Sequence, residues 1–196
     1  MKIIELAQKR RSCYQLANKI PWTDEQLIFL VREAVKYAPS AFNSQSTRVL
    51  ILLQEKHRLF WELTRQELQK IIPADKFSST DEKLQSFSAG YGTLLFFEEW
   101  KIIESLQMQF PTYKDNFPLW AYQANAMAEY VVWTLLAEAG IGANLQHYNP
   151  LVDEITKKTF ALPKSWKLIA QMPFGVKEGD PAEKTFVPLQ ERVLKL

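Results

Sequence analysis

The apolar positions of this chain change period from segment to segment, and those changes outline its elements. Leu27, Leu30, Val31, Ala34, Val35 and Ala38 recur at three- and four-residue steps, which predicts one buried face of a helix. Thr23-Asp24-Glu25-Gln26, just ahead, has the form of a capping box: a hydroxyl at the N-cap and a glutamine three positions on. Pro39 bars Ala38 from helical geometry and ends the element. Residues 48–53 form an apolar run of strand type. Helical spacing returns over 56–72 through Leu59, Phe60, Leu63, Leu68, Ile71 and Ile72, until Pro73 stops it.

Residues 79–87 suit another helix, and the glycines of AGYGTLLFFEE introduce a buried strand at 93–97. An irregular aromatic segment, FPTYKDNFPLW, leads into the most apolar stretch, residues 119–141. Gln123, Asn125, Glu129 and Glu138 interrupt that stretch, so it predicts a helix buried nearly all round within protein and not a membrane span. A chain this small is expected to need a second subunit to cover such a helix. Short helices at 2–9 (with Ile3, Ile4 and Leu6 to pack) and near 151–160, a third strand at 166–171 and a turn-rich, then extended tail complete the pattern. With no repeat or linker, the chain reads as one α+β domain in which helices dominate.

Composition narrows the partners. A net charge of +2 is too small to point to nucleic acid or an anionic membrane. One cysteine excludes an internal disulfide framework, and with only two histidines there is little material for a zinc site, so no metal is expected. A cytoplasmic, reducing location is the simplest reading, and MKIIELAQKRRSCYQL is too charged for a signal peptide. Aromatic residues at 13%, six of them Trp, favour buried interfaces or flat ligands.

No dinucleotide-binding glycine motif, P-loop, HExxH or GxSxG is present, which argues against a nucleophilic or metal-assisted hydrolase. Glu98-Glu99 reads as a solvated strand end, and Cys13 as an inert packing residue. Four stretches carry possible chemistry. Arg10-Arg11-Ser12 suits a phosphate, or a solvated basic helix end. PSAFNSQS (39–46) offers the carboxamides of Asn43 and Gln45 to a heterocycle edge, or is a turn capped by its own Ser and Asn. GIGANLQHYNP (140–150) lets backbone approach a flat ligand, or simply ends a helix. Lys184 and Arg192 could complete a phosphate site or solvate the tail.

Taken in order, RRS, PSAFNSQ, the glycine-marked helix end and K…P-L-x-E-R-V resemble the flavin-dependent nitroreductase family, over nearly the whole chain and most of all its short branch. The resemblance implies a mainly antiparallel sheet surrounded by helices, in an intertwined homodimer with two FMN sites at the subunit interface. It implies a single domain over 1–196, with the segment from about 174 onward as an arm on the partner. Arg10, Arg11 and Ser12 would hold the FMN phosphate and ribityl chain. Pro39, Ser40 and Ala41 would line the ring, with Asn43 and Gln45 at its polar edge. Asn144, Leu145, Gln146 and His147 would pass over its other side, and Lys184 and Arg192 would finish the phosphate site.

The implied activity is NAD(P)H-dependent reduction of nitroaromatics or quinones by ping-pong hydride transfer, with no catalytic acid or base from the protein. The alternative is a flavin-binding regulatory or sequestering protein with little turnover. Tyr14, Ser46-Thr47 and Phe186 depart from the common pattern, leaving a less basic phosphate site. The chain has little room for the helical excursion that roofs larger members, so an open pocket is expected.

Overall fold

The computed structural model describes residues 2–195. Its centre is strand β3 (Gly92–Glu99), whose uninterrupted apolar run is explained by burial on both faces. Side chains alternate across a strand. Leu94 and Phe96 therefore meet α2 (Asp24–Tyr37) and α6 (Phe117–Glu138), while Leu95 and Phe97 meet α3 (Gln54–Gln69) and α4 (Ser78–Ser88). On one side β3 pairs with β2 (Thr47–Leu53), which forms one edge of the sheet. On its other side lies β5 (Trp166–Lys177), followed by the short β1 (Leu16–Ala17). The three-residue β4 (Ile141–Ala143) also pairs with β5, and every ladder is antiparallel.

Several expectations hold locally. The capping box forms: the Thr23 hydroxyl accepts from Gln26 N–H at 3.3 Å, and the Gln26 side chain accepts from Thr23 N–H at 2.9 Å. Ala38 is extended, as a residue before proline should be. Helices α1 (Lys2–Lys9) and α7 (Asp153–Thr159) lie where the pattern places them.

Other features differ. Helix α5 (Trp100–Gln109) has no counterpart among the expected elements; its Trp100, Ile103 and Leu106 form a small separate core with Phe117, Trp120 and Ala121 of α6. β5 runs six residues past Gln171, because Pro173 still offers a carbonyl, which accepts from Asn144 N–H at 3.3 Å. The segment beyond the sheet begins at Glu178, whose N–H donates to Gln15 O at 2.9 Å. A bulge in β5 sets Phe97 opposite Leu168 and Phe96 opposite Ala170, which sends Leu168 and Ala170 to opposite faces of the sheet. Helix α6 is buried on one side only: Leu119, Tyr122, Met127 and Tyr130 stay exposed, as do Ile3 and Ile4 of α1. No described helix is long and apolar enough to cross a membrane.

Candidate functional site

The chain leaves α1 at Lys9 and runs extended along β4. Cys13 N–H donates to Ala143 O at 2.9 Å, and the Asn144 amide donates to Cys13 O at 2.8 Å. Two motifs 130 residues apart in sequence thus share one short stretch of backbone. Gly142 belongs to this contact and not to the helix end: a Cβ there would lie 3.0 Å from Cys13 Cβ. The helix itself is ended by Gly140, whose φ of +77° is a left-handed geometry suited to glycine.

Arg10, Arg11 and Ser12 form one wall of a groove of about 650 Å³, and residues 178–185, Lys184 included, form the other. The Arg10 guanidinium lies over the Trp133 ring, and its Nε is buried without a partner. Arg11 donates to the Ala182 carbonyl, which ties the tail across the groove. Asp180 and Glu183 also line it, so the charge is mixed. Even so, two guanidiniums, a hydroxyl, an ammonium and an unused buried N–H make a donor set that fits a phosphate monoester. Arg192 stands apart, exposed beyond the turn Leu189–Glu191. Cys13 is half-buried, and burial pushes its thiol up despite the nearby Lys177, Arg11 and Arg10 charges, in keeping with an inert role.

Asn144 and Gln146 point inward. Gln146 donates to the Asn144 carboxamide at 2.8 Å, and its backbone pairs with Gln171 in both directions. Their side chains are spent on structure. Leu145 and the exposed His147 alternate to the opposite side, as do their N–H groups in an extended segment.

The loop 39–46 uses its serine locally, since Ser40 Oγ accepts from Gln45 N–H at 3.0 Å. Its carboxamides are not buried: Asn43 and Gln45 are exposed. Phe42, Asn43 and Gln45 have φ of 55°, 49° and 48°, a left-handed geometry costing an L residue roughly 1–2 kcal/mol each. Phe42 is 49% exposed yet ringed by Phe110, Tyr113, Phe117 and Trp120 at centroid distances of 4.8–6.0 Å. Pro39, Ser40 and Gln45 line a separate pocket of about 160 Å³ with Arg48 and Ala124. Neither Arg10–Ser12 nor Lys184 contributes to it, so one chain presents the candidate residues as two halves.

Glu98 corrects a sequence expectation. It is 0% exposed: its Oε1 accepts from Thr47 Oγ1 and from Asn125 Nδ2, both at 2.7 Å. Glu99 is also engaged, accepting from Trp166 Nε1 at 2.9 Å. One turn beyond Asn125, burial and then the Glu98 carboxylate push Glu129 up to about 7. The sequence did carry a signal here, since Asn125 and Glu129 sit four apart on one face of an otherwise apolar helix. Among the described residues no group of three or more His, Cys, Asp or Glu could hold a metal ion.

The sequence profile of the nitroreductase family matches residues 7–176. The chain belongs to the nitroreductase family. It is 31% identical over 180 residues to the nitroreductase FRM2 of Saccharomyces cerevisiae, covering 91% of this chain and 89% of that one. Its structure is similar to that of the nitroreductase CinD from Lactococcus lactis in complex with chloramphenicol: TM-score 0.91, 41% identity, 99% of each chain covered. An FMN-bound nitroreductase from Desulfitobacterium hafniense shares the fold at TM-score 0.71 and 15% identity, over 100% of this chain and 98% of that one. Membership supports an oxidoreductase that uses a flavin, on a nitroreductase-like fold of helices and antiparallel sheet.

Proposed function

We propose that this protein is an FMN-dependent NAD(P)H oxidoreductase that reduces nitroaromatics or quinones as a cytoplasmic homodimer. The observation that carries the reading is the docking of Cys13, the residue directly after Arg10–Ser12, onto Ala143–Asn144, which brings the donor set of that triplet to an extended segment. Support for aromatic acceptors comes from CinD, whose structures hold chloramphenicol, 4-nitrophenol and nicotinic acid. Bound FMN would supply the hydride chemistry, alternating between a nicotinamide and the acceptor in ping-pong fashion.

This chain's residues bind and orient. Arg10, Arg11, Ser12 and Lys184 hold the phosphate. Asn43 and Gln45 offer exposed carboxamides to the ring edge, Pro39, Ser40 and Ala41 lie beneath it, and the segment of half-buried Leu145 and exposed His147 passes over it. Asn144 and Gln146 support that segment from below. The separation of these residues into two halves within one chain, together with the exposed stripe on α6, favours a dimer in which each site draws on both subunits. Arg192, exposed on the tail, would reach a phosphate only in such an assembly.

The test is the visible spectrum and turnover of purified protein refolded with excess FMN. Bound flavin, NAD(P)H oxidation coupled to a nitroaromatic or quinone, and a dimeric mass are expected; colourless, inactive protein overturns the proposal. The mixed charge of the groove, with Asp180 and Glu183 on its wall and Tyr14 beside the arginine pair, favours one alternative, a flavin-binding regulatory protein with little turnover. Its mark is bound flavin that light reduces and NAD(P)H does not.

A further inference from the structure

Two residues at the exit of the 39–46 loop, Ser46 and Thr47, are pinned to the end of β3. The Ser46 carbonyl accepts from Glu99 N–H at 2.9 Å, and the buried Ser46 hydroxyl lies 3.3 Å from that of Ser44. Thr47, directly opposite Glu98 in the ladder, donates its hydroxyl to Glu98 Oε1. Asn125, from α6, holds Glu98 in turn and also donates to Phe97 O at 3.1 Å. The preceding strand residues Leu94–Phe97 are all apolar and fully buried, so an acid at the next position is unusual for the core it adjoins.

Glu98 Oε2 and Asn125 Oδ1 are buried without partners. An unpaired buried oxygen costs stability, which offsets part of what the cluster's hydrogen bonds contribute. Its structural consequence is the position of the loop. The left-handed backbone at Phe42, Asn43 and Gln45 lies immediately upstream, and such conformations persist only where the surroundings over-determine them. The loop's own bonds, among Ser40, Ala41, Asn43, Ser44 and Gln45, form a local turn. The Phe42 ring is held among Phe110, Tyr113, Phe117 and Trp120, Arg48 donates to Gln45 O at 2.7 Å, and the Glu98 cluster holds the loop's exit against β3.

We propose that Glu98, held by Asn125, is a positioning residue that fixes the 39–46 loop so that Asn43 and Gln45 face the flavin; the inference rests on the FMN reading above. It acts on the loop by accepting hydrogen bonds from Thr47 and Asn125. Because Asn125 belongs to α6, the clamp also joins the loop to the helix whose other stripe is exposed for a second subunit.

The experiment titrates FMN into apo wild type, Glu98→Ala, Glu98→Gln and Thr47→Val, following flavin fluorescence at low temperature, with apo melting measured in parallel. Glu98→Ala is expected to weaken FMN binding tenfold or more. Glu98→Gln, whose carboxamide oxygen accepts from the same two donors, is expected to stay within threefold of wild type. Thr47→Val, which removes one bond at a half-buried site, is expected to lose three- to tenfold and decides the matter if Glu98→Ala does not fold. Lower melting with unchanged affinity in Glu98→Ala or Thr47→Val overturns the inference, as does a Glu98→Gln that loses as much affinity as Glu98→Ala. Wild type that binds no FMN overturns the proposed function along with it; wild type that binds while the variants match it overturns this inference alone.

Discussion

The guanidinium of Arg10 lies over the indole of Trp133, 4.3 Å from the ring centroid. This contact ties the Arg10–Ser12 triplet to α6, the same helix that reaches Glu98 through Asn125. Stacking sets the plane of the guanidinium, whose Nε–H is buried and has no partner.

Loss of that platform should loosen the anion site without abolishing it. A cation–π contact contributes about 0.5–2 kcal/mol, so Trp133→Ala is expected to weaken FMN binding several-fold. Arg10→Lys should bind more weakly than wild type, since lysine lacks the planar fork, and Arg10→Ala should release FMN readily as salt is raised. Flavin retention measured across a salt series checks all three; equal retention removes Arg10 from the site.

For the loop, Asn43→Ala with Gln45→Ala is expected to weaken FMN binding or shift its potential in a folded protein. Backbone strain complicates alanine at φ near +49° and +48°. Asn43→Gly, which suits that geometry, separates the effects: it should keep or raise thermal stability yet still lose affinity. Flavin titration and melting curves distinguish lost carboxamides from a disturbed turn.

Gly175 tests the frame beneath the triplet. It faces Gly142 across the β4–β5 ladder, and a Cβ on it would lie 2.3 Å from the Ala17 carbonyl oxygen. Backbone cannot yield as a side-chain tip can, so Gly175→Ala is expected to cost about 2–3 kcal/mol in denaturant unfolding. It should also displace β1, with weaker FMN binding as a second readout.

His57 should make the protein acid-sensitive. Its Nε2 donates to Ser88 O at 3.2 Å, leaving Nδ1 to accept from Thr93 Oγ1 at 2.8 Å, while Thr93 accepts from Trp61 Nε1 at 2.9 Å. Burial lowers its pKa from the ordinary 6.5 to about 4. Below 6.5 the unfolded chain takes up a proton that the folded protein refuses, so stability falls as pH drops from 6.5 through about 4. At 1.36 kcal/mol per pH unit the full loss is about 3 kcal/mol. Unfolding at a series of pH values checks this, and His57→Phe should flatten the acid limb of the curve.

Glu129 works in the opposite sense. With its pKa raised from 4.5 to about 7, the stability of its neutral folded form is complete below 4.5 and is lost as pH rises through 7. Glu129→Gln should remove that slope and leave the His57 limb exposed. A variant as pH-dependent as wild type between 4.5 and 7 contradicts the assignment.

Local signals were enough for much of this protein. The Thr23 capping box, the stop at Pro39 and the doubly buried run 93–97 each depend on neighbouring residues or on side-chain period, which sequence states directly. The order of four motifs along the chain carried the family. The periodicity of Trp100, Ile103 and Leu106 was also present, masked by the aromatic segment that follows it.

Contacts between distant segments settled the rest. Glu98 resembles a solvated strand end until β2 and α6 close over it, because burial is set by what the fold brings near and not by the residue's own type. The sequence singles out Asn144 and Gln146 as candidates, but whether a side chain faces a ligand or the interior depends on pairing with β5. The exposed stripe of α6 and the division of the candidate residues into two halves follow from packing as well. Sequence supplies the periods and the donors; long-range pairing chooses which face each one meets.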